Sequence, residues 1–344
     1  MPLVANLSFA AAPAPVVRRA AAAAAAAALV FSLGACASSE ASSSAAAGQE
    51  VTDLKVGSSP GLSGIGLRAA ISQGQFADHG LTVTAAANKS ANEAVPQLLS
   101  GQLQVAQTDT LTLMQARSQG LPVRVIAGAG VQATDGEDGA ASAASVVAKP
   151  SSSIASAKDL VGKKVGVPAI KTQTWMNIRA VVDAAGGDSS SIQFVEVPPA
   201  QTIDLVQQGD VDAATPNEPL ASSAIAAQKV KLVHNTDAPG NKGVPSSVYV
   251  ATEEFIAKNP DTVQKFAESI YAAAKEVNGN SELAGKIAQE QLNFKPEQLK
   301  NAFVQPFATE PVAAGQLDKI AELAVKYGIL TDKPKAEDLL AGSK

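Results

Sequence analysis

The sequence predicts an α/β protein of two doubly wound parallel-sheet lobes joined by two crossing strands. Three observations point there. The chain contains an internal duplication, extended and helical stretches alternate within each copy, and the sequence turns mostly helical after the second copy. The duplication shows when residues 52–127 are laid over 161–234. Lys55-Val56-Gly57 closes an extended apolar run and leads through a loop to Leu67-Arg68-Ala69-Ala70. Lys164-Val165-Gly166 does the same before Ile178-Arg179-Ala180-Val181. Leu98 to Ala106 then matches Val206 to Ala214, a helix stopping at Gly101 or Gly209 before a short alternating strand.

The elements follow in order. In the first copy, strands near 52–57, 81–86, 103–107 and 122–127 alternate with helices near 64–75, 91–99 and 110–119. In the second, strands near 163–167, 191–197, 211–214 and 230–234 alternate with helices near 173–185, 200–208 and 217–228. Such alternation makes sheets with right-handed crossovers. Ser145 to Ala148 and Ser247 to Ala251 are extended runs that carry the chain between lobes, and two crossings make a hinge. Asn259-Pro260-Asp261 then starts a helix, with Asn as cap and Pro in the first helical position. Val263, Phe266, Ile270, Ala274 and Val277 hold one apolar face, as do Leu317, Ile320, Leu323 and Tyr327 further on. These stripes are core surfaces.

Composition narrows the function. With 344 residues the chain can build two cores. Its 27 Lys and Arg against 32 Asp and Glu form no basic stripe, so nucleic-acid binding has no electrostatic footprint. Arg18-Arg19 precede the uncharged run Ala20 to Ala35, too short for a comfortable bilayer span of about 20 apolar residues. The run ends in Leu33-Gly34-Ala35-Cys36, which resembles the bacterial lipobox, where the cysteine is diacylated and becomes the first mature residue. An uncleaved anchor with an incidental cysteine is the plainer alternative. The Ser/Ala/Gly-rich stretch from Ser38 to Gly48 reads as a tether. The expected divisions are a signal peptide over 1–35, a lipidated tether over 36–50, lobe 1 over 51–146, lobe 2 over 147–246 and a mostly helical return of lobe 1 over 247–344. Loss of 1–35 removes Arg18 and Arg19 and no acid, so 27 basic residues become 25 against 32 acidic ones. Cys36 is the single cysteine, so the mature chain has no thiol for a disulfide, metal site or nucleophile.

Further residues carry a family resemblance. Gly74-Gln75-Phe76-Ala77-Asp78-His79-Gly80-Leu81-Thr82-Val83 resembles a signature of ABC solute-binding proteins for sulfonates, taurine, nitrate and thiamine precursors. Gly120-Leu121-Pro122-Val123, the run from Ile154 to Gly166 and Asn217-Glu218-Pro219 are similar to other motifs of that family. The likeness covers about residues 52–335. It implies a type II periplasmic binding protein in lipoprotein form: a hinged trap for a small solute, exported, held at the outer face of the cell membrane (or the periplasmic side) through Cys36, and serving a membrane permease. A monomer without cofactor or metal is expected. The eukaryotic thiamine-precursor enzymes of similar fold need a cysteine-rich motif, which this chain lacks.

Ligands of open parallel sheets sit beyond the carboxyl ends of the strands. That rule and the duplication select Ser58, Ser59, Thr108, Asp109 and Thr110 in lobe 1, and Lys171, Thr172, Thr174, Trp175, Asn217 and Glu218 in lobe 2. Ser58, Ser59, Thr172 and Thr174 precede helices, where free N–H groups favour an anion. Lys171 adds a charge and Trp175 a wall. Asp109 and Glu218 suit an ammonium or an aminopyrimidine edge. A sulfonate with an ammonium, as in taurine, answers both ends; an aminopyrimidine stacked on Trp175 is the alternative. Each residue also has a plainer use: capping for the hydroxyls and acids, a solvated charge for Lys171, lobe packing for Trp175.

Catalysis finds little support. His79 and His234 make no metal-ligand spacing. No Gly-x-Ser-x-Gly elbow stands between strand and helix, and the acidic run from Asp135 to Gly139 lacks calcium-loop spacing. A ligand-sensing subunit reporting to a membrane receptor is the other class of function that fits a two-lobed trap.

Overall fold

The structure is a computed structural model that describes residues 50–88, 93–136 and 142–342. The expected signal peptide, Cys36 and the expected tether before Glu50 lie outside the described residues.

The two copies fold as two five-stranded sheets. Lobe 1 runs β1 (Asp53–Ser58), α1 (Ile65–Ser72), α2 (Gln75–Asp78), β2 (Thr82–Ala87), α3 (Ala94–Leu99), β3 (Val105–Asp109), α4 (Thr110–Ser118) and β4 (Val123–Gly128). Lobe 2 runs β5 (Ser145–Ala148), β6 (Lys164–Val167), α5 (Gln173–Ala184), β7 (Gln193–Glu196), α6 (Thr202–Gln208), β8 (Ala213–Ala214), α7 (Leu220–Ala226) and β9 (Lys231–Asn235). The return segment adds β10 (Ser247–Thr252), α8 (Glu253–Lys258), α9 (Pro260–Val277), α10 (Ser281–Leu292), α11 (Pro296–Leu299), α12 (Ala314–Lys326) and α13 (Ala336–Leu339).

The strand orders are β2-β1-β3-β10-β4 and β7-β6-β8-β5-β9, the same order twice. The two-lobed α/β architecture is the expected one, with one refinement. Each sheet is mixed, not parallel throughout. β10 runs antiparallel to β3 and β4, and β5 antiparallel to β8 and β9. These are the crossing strands. Each arrives from the other lobe at the cleft end of its new sheet and so runs away from the cleft, against its neighbours. Between the sheets the two crossings pair as a ribbon. Gln132 donates its N–H to Val244 O at 2.9 Å, Gly243 donates to Gln132 O at 2.9 Å, and Val131 bridges Pro245 antiparallel.

Apolar alternation buries Leu54 and Val56 of β1 against the return helices. There Phe266 of α9 stacks on Phe76 at 5.3 Å between ring centroids and meets Tyr249 edge-on at 5.4 Å. The start of α9 differs from the expected Asn cap. Asn259 accepts from Val51 N–H, and the Glu50 carboxylate takes the N–H groups of Asp261 and Thr262. An acid from the chain's beginning thus caps a helix over two hundred residues away. On the other side, α12 packs against both α4 and α5. Tyr327 at its end donates its hydroxyl to Asp183 Oδ2 at 2.8 Å. The return segment therefore touches both lobes.

Candidate ligand-binding site

A cavity of about 370 Å³ opens between the lobes. Its walls are the ends of strands. Ser59 follows β1, Asn88 follows β2, Thr108 and Asp109 end β3, and Gln132 follows β4; Pro168 and Ala169 follow β6, Asn217 follows β8, and Thr236 and Asp237 follow β9. The first turns of α5 supply Gln173, Thr174 and Asn177. This is where α/β sheets bind ligands, because the loops there vary without disturbing the core.

Of the residues selected from the sequence, Ser59, Thr108, Asp109, Thr172, Thr174 and Asn217 line this cavity. Glu218 lines an adjoining space of about 110 Å³, shared with Ser59, Asn217 and Gln305. The other four stand elsewhere. Ser58 is fully buried behind the floor, donating to Gln107 Oε1 at 2.9 Å and accepting from Arg68 Nη1 at 3.0 Å. Thr110 is also fully buried and donates to Pro245 O at 3.0 Å. Lys171 is exposed, and its carbonyl accepts from Gln115 Nε2 of lobe 1 at 3.2 Å. Trp175 packs on Phe194 at 5.6 Å, with the Arg179 guanidinium 4.9 Å over its ring. The helical repeat explains Trp175. Gln173 and Asn177 are four apart and share the cavity face, so Trp175 between them turns to the opposite side.

The acids differ in what holds them. Asp109 caps α4, its two oxygens accepting from Thr112 N–H and Thr112 Oγ1 at 2.8 Å each. Asp237 Oδ2 accepts from Ala133 N–H and Thr134 N–H at 2.9 Å and from Thr134 Oγ1 at 3.2 Å. Glu218 accepts from Ser222 Oγ at 2.7 Å and from Phe303 N–H at 3.4 Å across the cleft. Burial pushes all three carboxyls above their ordinary values, outweighing these bonds.

No Lys, Arg or aromatic side chain is among the described residues lining the cavity. The N-cap Thr172 makes no side-chain cap bond, so the first N–H groups of α5 are free to face an anion. Arg68, 7% exposed and without a carboxylate partner among the described residues, stands behind the floor. Its bond to Ser58 continues to Gln107, which also takes Ser59 N–H and donates to Ser63 O. Sequence reasoning missed Asn88, Gln107, Gln132, Gln173, Asn177, Asp237 and Gln305. The strand-end rule reaches Asn88, Gln132 and Asp237 through β2, β4 and β9, whereas the matched loops of the duplication lie after β1, β3, β6 and β8. Gly57 makes room for the Asn88 amide, since a Cβ there would fall 2.5 Å from Asn88 Nδ2.

Comparison with known proteins decides the family. The family profile described as "NMT1/THI5 like" matches residues 63–282, well over half of the chain. The chain belongs to the NMT1/THI5-like family. The taurine-binding periplasmic protein of Escherichia coli K12 is 28% identical over 207 residues, which are 60% of this chain and 61% of that relative. The chain thus spans about three fifths of that relative's length. Among solved structures, the periplasmic aliphatic sulphonate binding protein SsuA of Escherichia coli aligns with a TM-score of 0.68 at 18% identity, covering 85% of this chain and 98% of the other. The alkanesulfonate-binding protein SsuA of Xanthomonas axonopodis pv. citri, bound to MOPS, aligns at 0.69 with 14% identity, covering 85% and 99%. These structural likenesses show the periplasmic-binding-protein fold. All three of these proteins are named for what they bind.

Proposed function

We propose that this protein is the extracytoplasmic solute-binding subunit of an ABC importer, capturing a small zwitterionic sulfonate of the taurine type and delivering it to a membrane permease. One observation carries the choice of solute: the cavity pairs two carboxylates, Asp109 and Asp237, with free helix N–H groups and, among the described residues, no lining cation. A bare anion such as nitrate leaves the Asp237 carboxylate without a cation, and a bare amine leaves the helix start unanswered. The names of the relatives support the same class. The aminopyrimidine alternative loses its stacking surface, because Trp175 faces away from the cavity.

In this reading the ribbon of crossings is the hinge, and the solute shifts the lobes toward closure only by binding the closed form more tightly. Cleavage before Cys36 and its acylation belong to the same proposal, supported by the order of basic pair, apolar run and small residues before the cysteine. So does a monomeric state.

Thermal melting of the mature chain carrying Cys36→Ser tests the reading. Taurine at a hundredfold excess over its dissociation constant adds about 2.7 kcal/mol, and the melting temperature rises by a few degrees. Ethanesulfonate and nitrate give smaller shifts. No shift with taurine or any alkanesulfonate at millimolar concentration overturns the proposal.

A further inference from the structure

We propose that the lobe 2 wall of the cavity is shaped for a planar, N–H-rich cationic end group, a guanidinium or amidinium, in preference to the compact ammonium of taurine. This rests on the solute-binding reading above and names the class of solute more closely.

Four amide side chains line the cavity at 2–5% exposure yet carry polar atoms without a partner: Asn88, Gln132, Gln173 and Asn177. Three of them belong to one patch with Asp237. Gln132 Oε1 accepts from Ala238 N–H at 2.7 Å and from Asn177 Nδ2 at 3.3 Å, and Asn177 Nδ2 also donates to Thr236 O at 2.9 Å. Asp237 lies between Thr236 and Ala238 in the chain. Those bonds set both amide orientations, since turning either amide over would set donor against donor or acceptor against acceptor. Asn177 therefore presents a bare Oδ1 and Gln132 a bare Nε2. Gln173 Nε2 sits 3.5 Å from Pro245 O, which leaves its Oε1 bare. All three donors to Asp237 go to Oδ2, and Oδ1 has none among the described residues.

The patch thus offers three unanswered acceptors, one of them charged, and a single donor. Leaving the Gln173 and Asn177 oxygens buried and unpaired is costly, so the wall is completed by an occupant rich in N–H groups. Spacing then separates the cations. Gln173 and Asn177 are one helical turn apart, their Cβ atoms about 5–6 Å from each other. The three N–H groups of an ammonium converge on one nitrogen, whereas the five of a guanidinium radiate from a plane and reach separated acceptors. Gln132 Nε2 and the first N–H groups of α5 are left for the anionic part of the same small solute.

Calorimetry on the mature chain with ethanesulfonate, taurine and 2-guanidinoethanesulfonate tests this, because the three probes share the two-carbon sulfonate. The expected result is that the guanidino compound binds at least tenfold more tightly than taurine. Gln173→Leu and Asn177→Leu, made separately so that a melting curve can set aside either one that fails to fold, bring that ratio toward one. Gln173→Glu, which adds a charge facing the same group, raises it. Taurine binding as well as or better than the guanidino probe overturns the inference and leaves the solute-binding proposal standing. Binding of none of the three overturns both.

Discussion

In lobe 1 the wall at the ends of β1 and β3 is bonded within itself: Arg68 holds Ser58, Ser58 holds Gln107, and Asp109 is engaged by Thr112. In lobe 2 and its crossings the equivalent wall leaves Gln132, Gln173 and Asn177 with unanswered groups. The same strand order therefore serves two purposes. The lobe 1 wall at β1 and β3 is bonded in place, while the wall of lobe 2 and the crossings is, in the proposed reading, completed by what enters the cleft. The sheets differ in the same sense. The strands β1, β2 and β3 are six, six and five residues long, against four, four and two for β6, β7 and β8. Most of the return helices also pack on lobe 1. In the proposed trap, a wall bonded within itself would face one built on shorter strands.

The comparison breaks most visibly in the cores. Phe266→Ala empties the aromatic contact of Phe76, Phe266 and Tyr249 and costs about 3–5 kcal/mol by denaturant unfolding. Val206→Ala, in the small core beside β8 in lobe 2, costs roughly 2 kcal/mol. Equal losses would erase the distinction between the cores. Arg68 tests the platform. At low salt, Arg68→Met weakens an anionic solute about tenfold, a loss on the order of 1–2 kcal/mol for one charge acting across several ångströms of protein. Arg68→Lys restores most of it. An unchanged affinity in Arg68→Met would make the buried guanidinium a packing element only.

The joint between the lobes carries the next effect. Asp183 of α5 receives Tyr327 Oη at 2.8 Å and lies 3.2 Å from Lys326 Nζ of α12. Despite its partial burial, the hydroxyls of Ser189 and Tyr327, Ser189 N–H and the Lys326 ammonium bring its carboxyl down to about 2. A carboxylate lowered by folding stabilises the folded state above the unfolded value of 3.8 and loses that contribution as pH falls toward 2. Asp183→Asn should cost on the order of 1 kcal/mol at pH 7, with the gap to the wild type closing between pH 4 and about pH 2. A gap independent of pH would show that the hydrogen bonds, and not the charge, hold α12 to α5.

How much of this was legible follows from which signals are local. The duplicated strands and helices lie within a few residues of their expected places, because apolar period and glycine stops are written in short windows. The direction of β5 and β10 was not, since it depends on where a chain coming from the other lobe enters the sheet. Lys171 and Trp175 drew attention as the charged and aromatic members of a loop and helix start, but helix phase decides which residues see the cleft, and it favours Gln173 and Asn177. Amides are common in any sequence. What singles these out is the lack of a partner, which appears only once the neighbours are in place. Asp237 is hidden for a simpler reason: it follows β9, whose end the duplicated motifs do not mark.

Asp237 gives the smallest effect on stability and the sharpest test of an unfinished wall. Its folded-state value is raised by burial, so the folded chain holds the proton more tightly than the unfolded one. Between the ordinary carboxylate value of 3.8 and the raised one, stability falls as pH rises, and the penalty is fully present above the raised value. Asp237→Asn removes the charge while its remaining oxygen keeps Ala133, Thr134 N–H and Thr134 Oγ1 as donors. At neutral pH the empty variant should melt slightly higher than the wild type, by less than about 1 kcal/mol, while its affinity for a cationic end group drops tenfold or more. Stability and binding then move in opposite directions from one substitution. That is expected of a group kept buried for its ligand, whereas a carboxylate present for structure would lose both together.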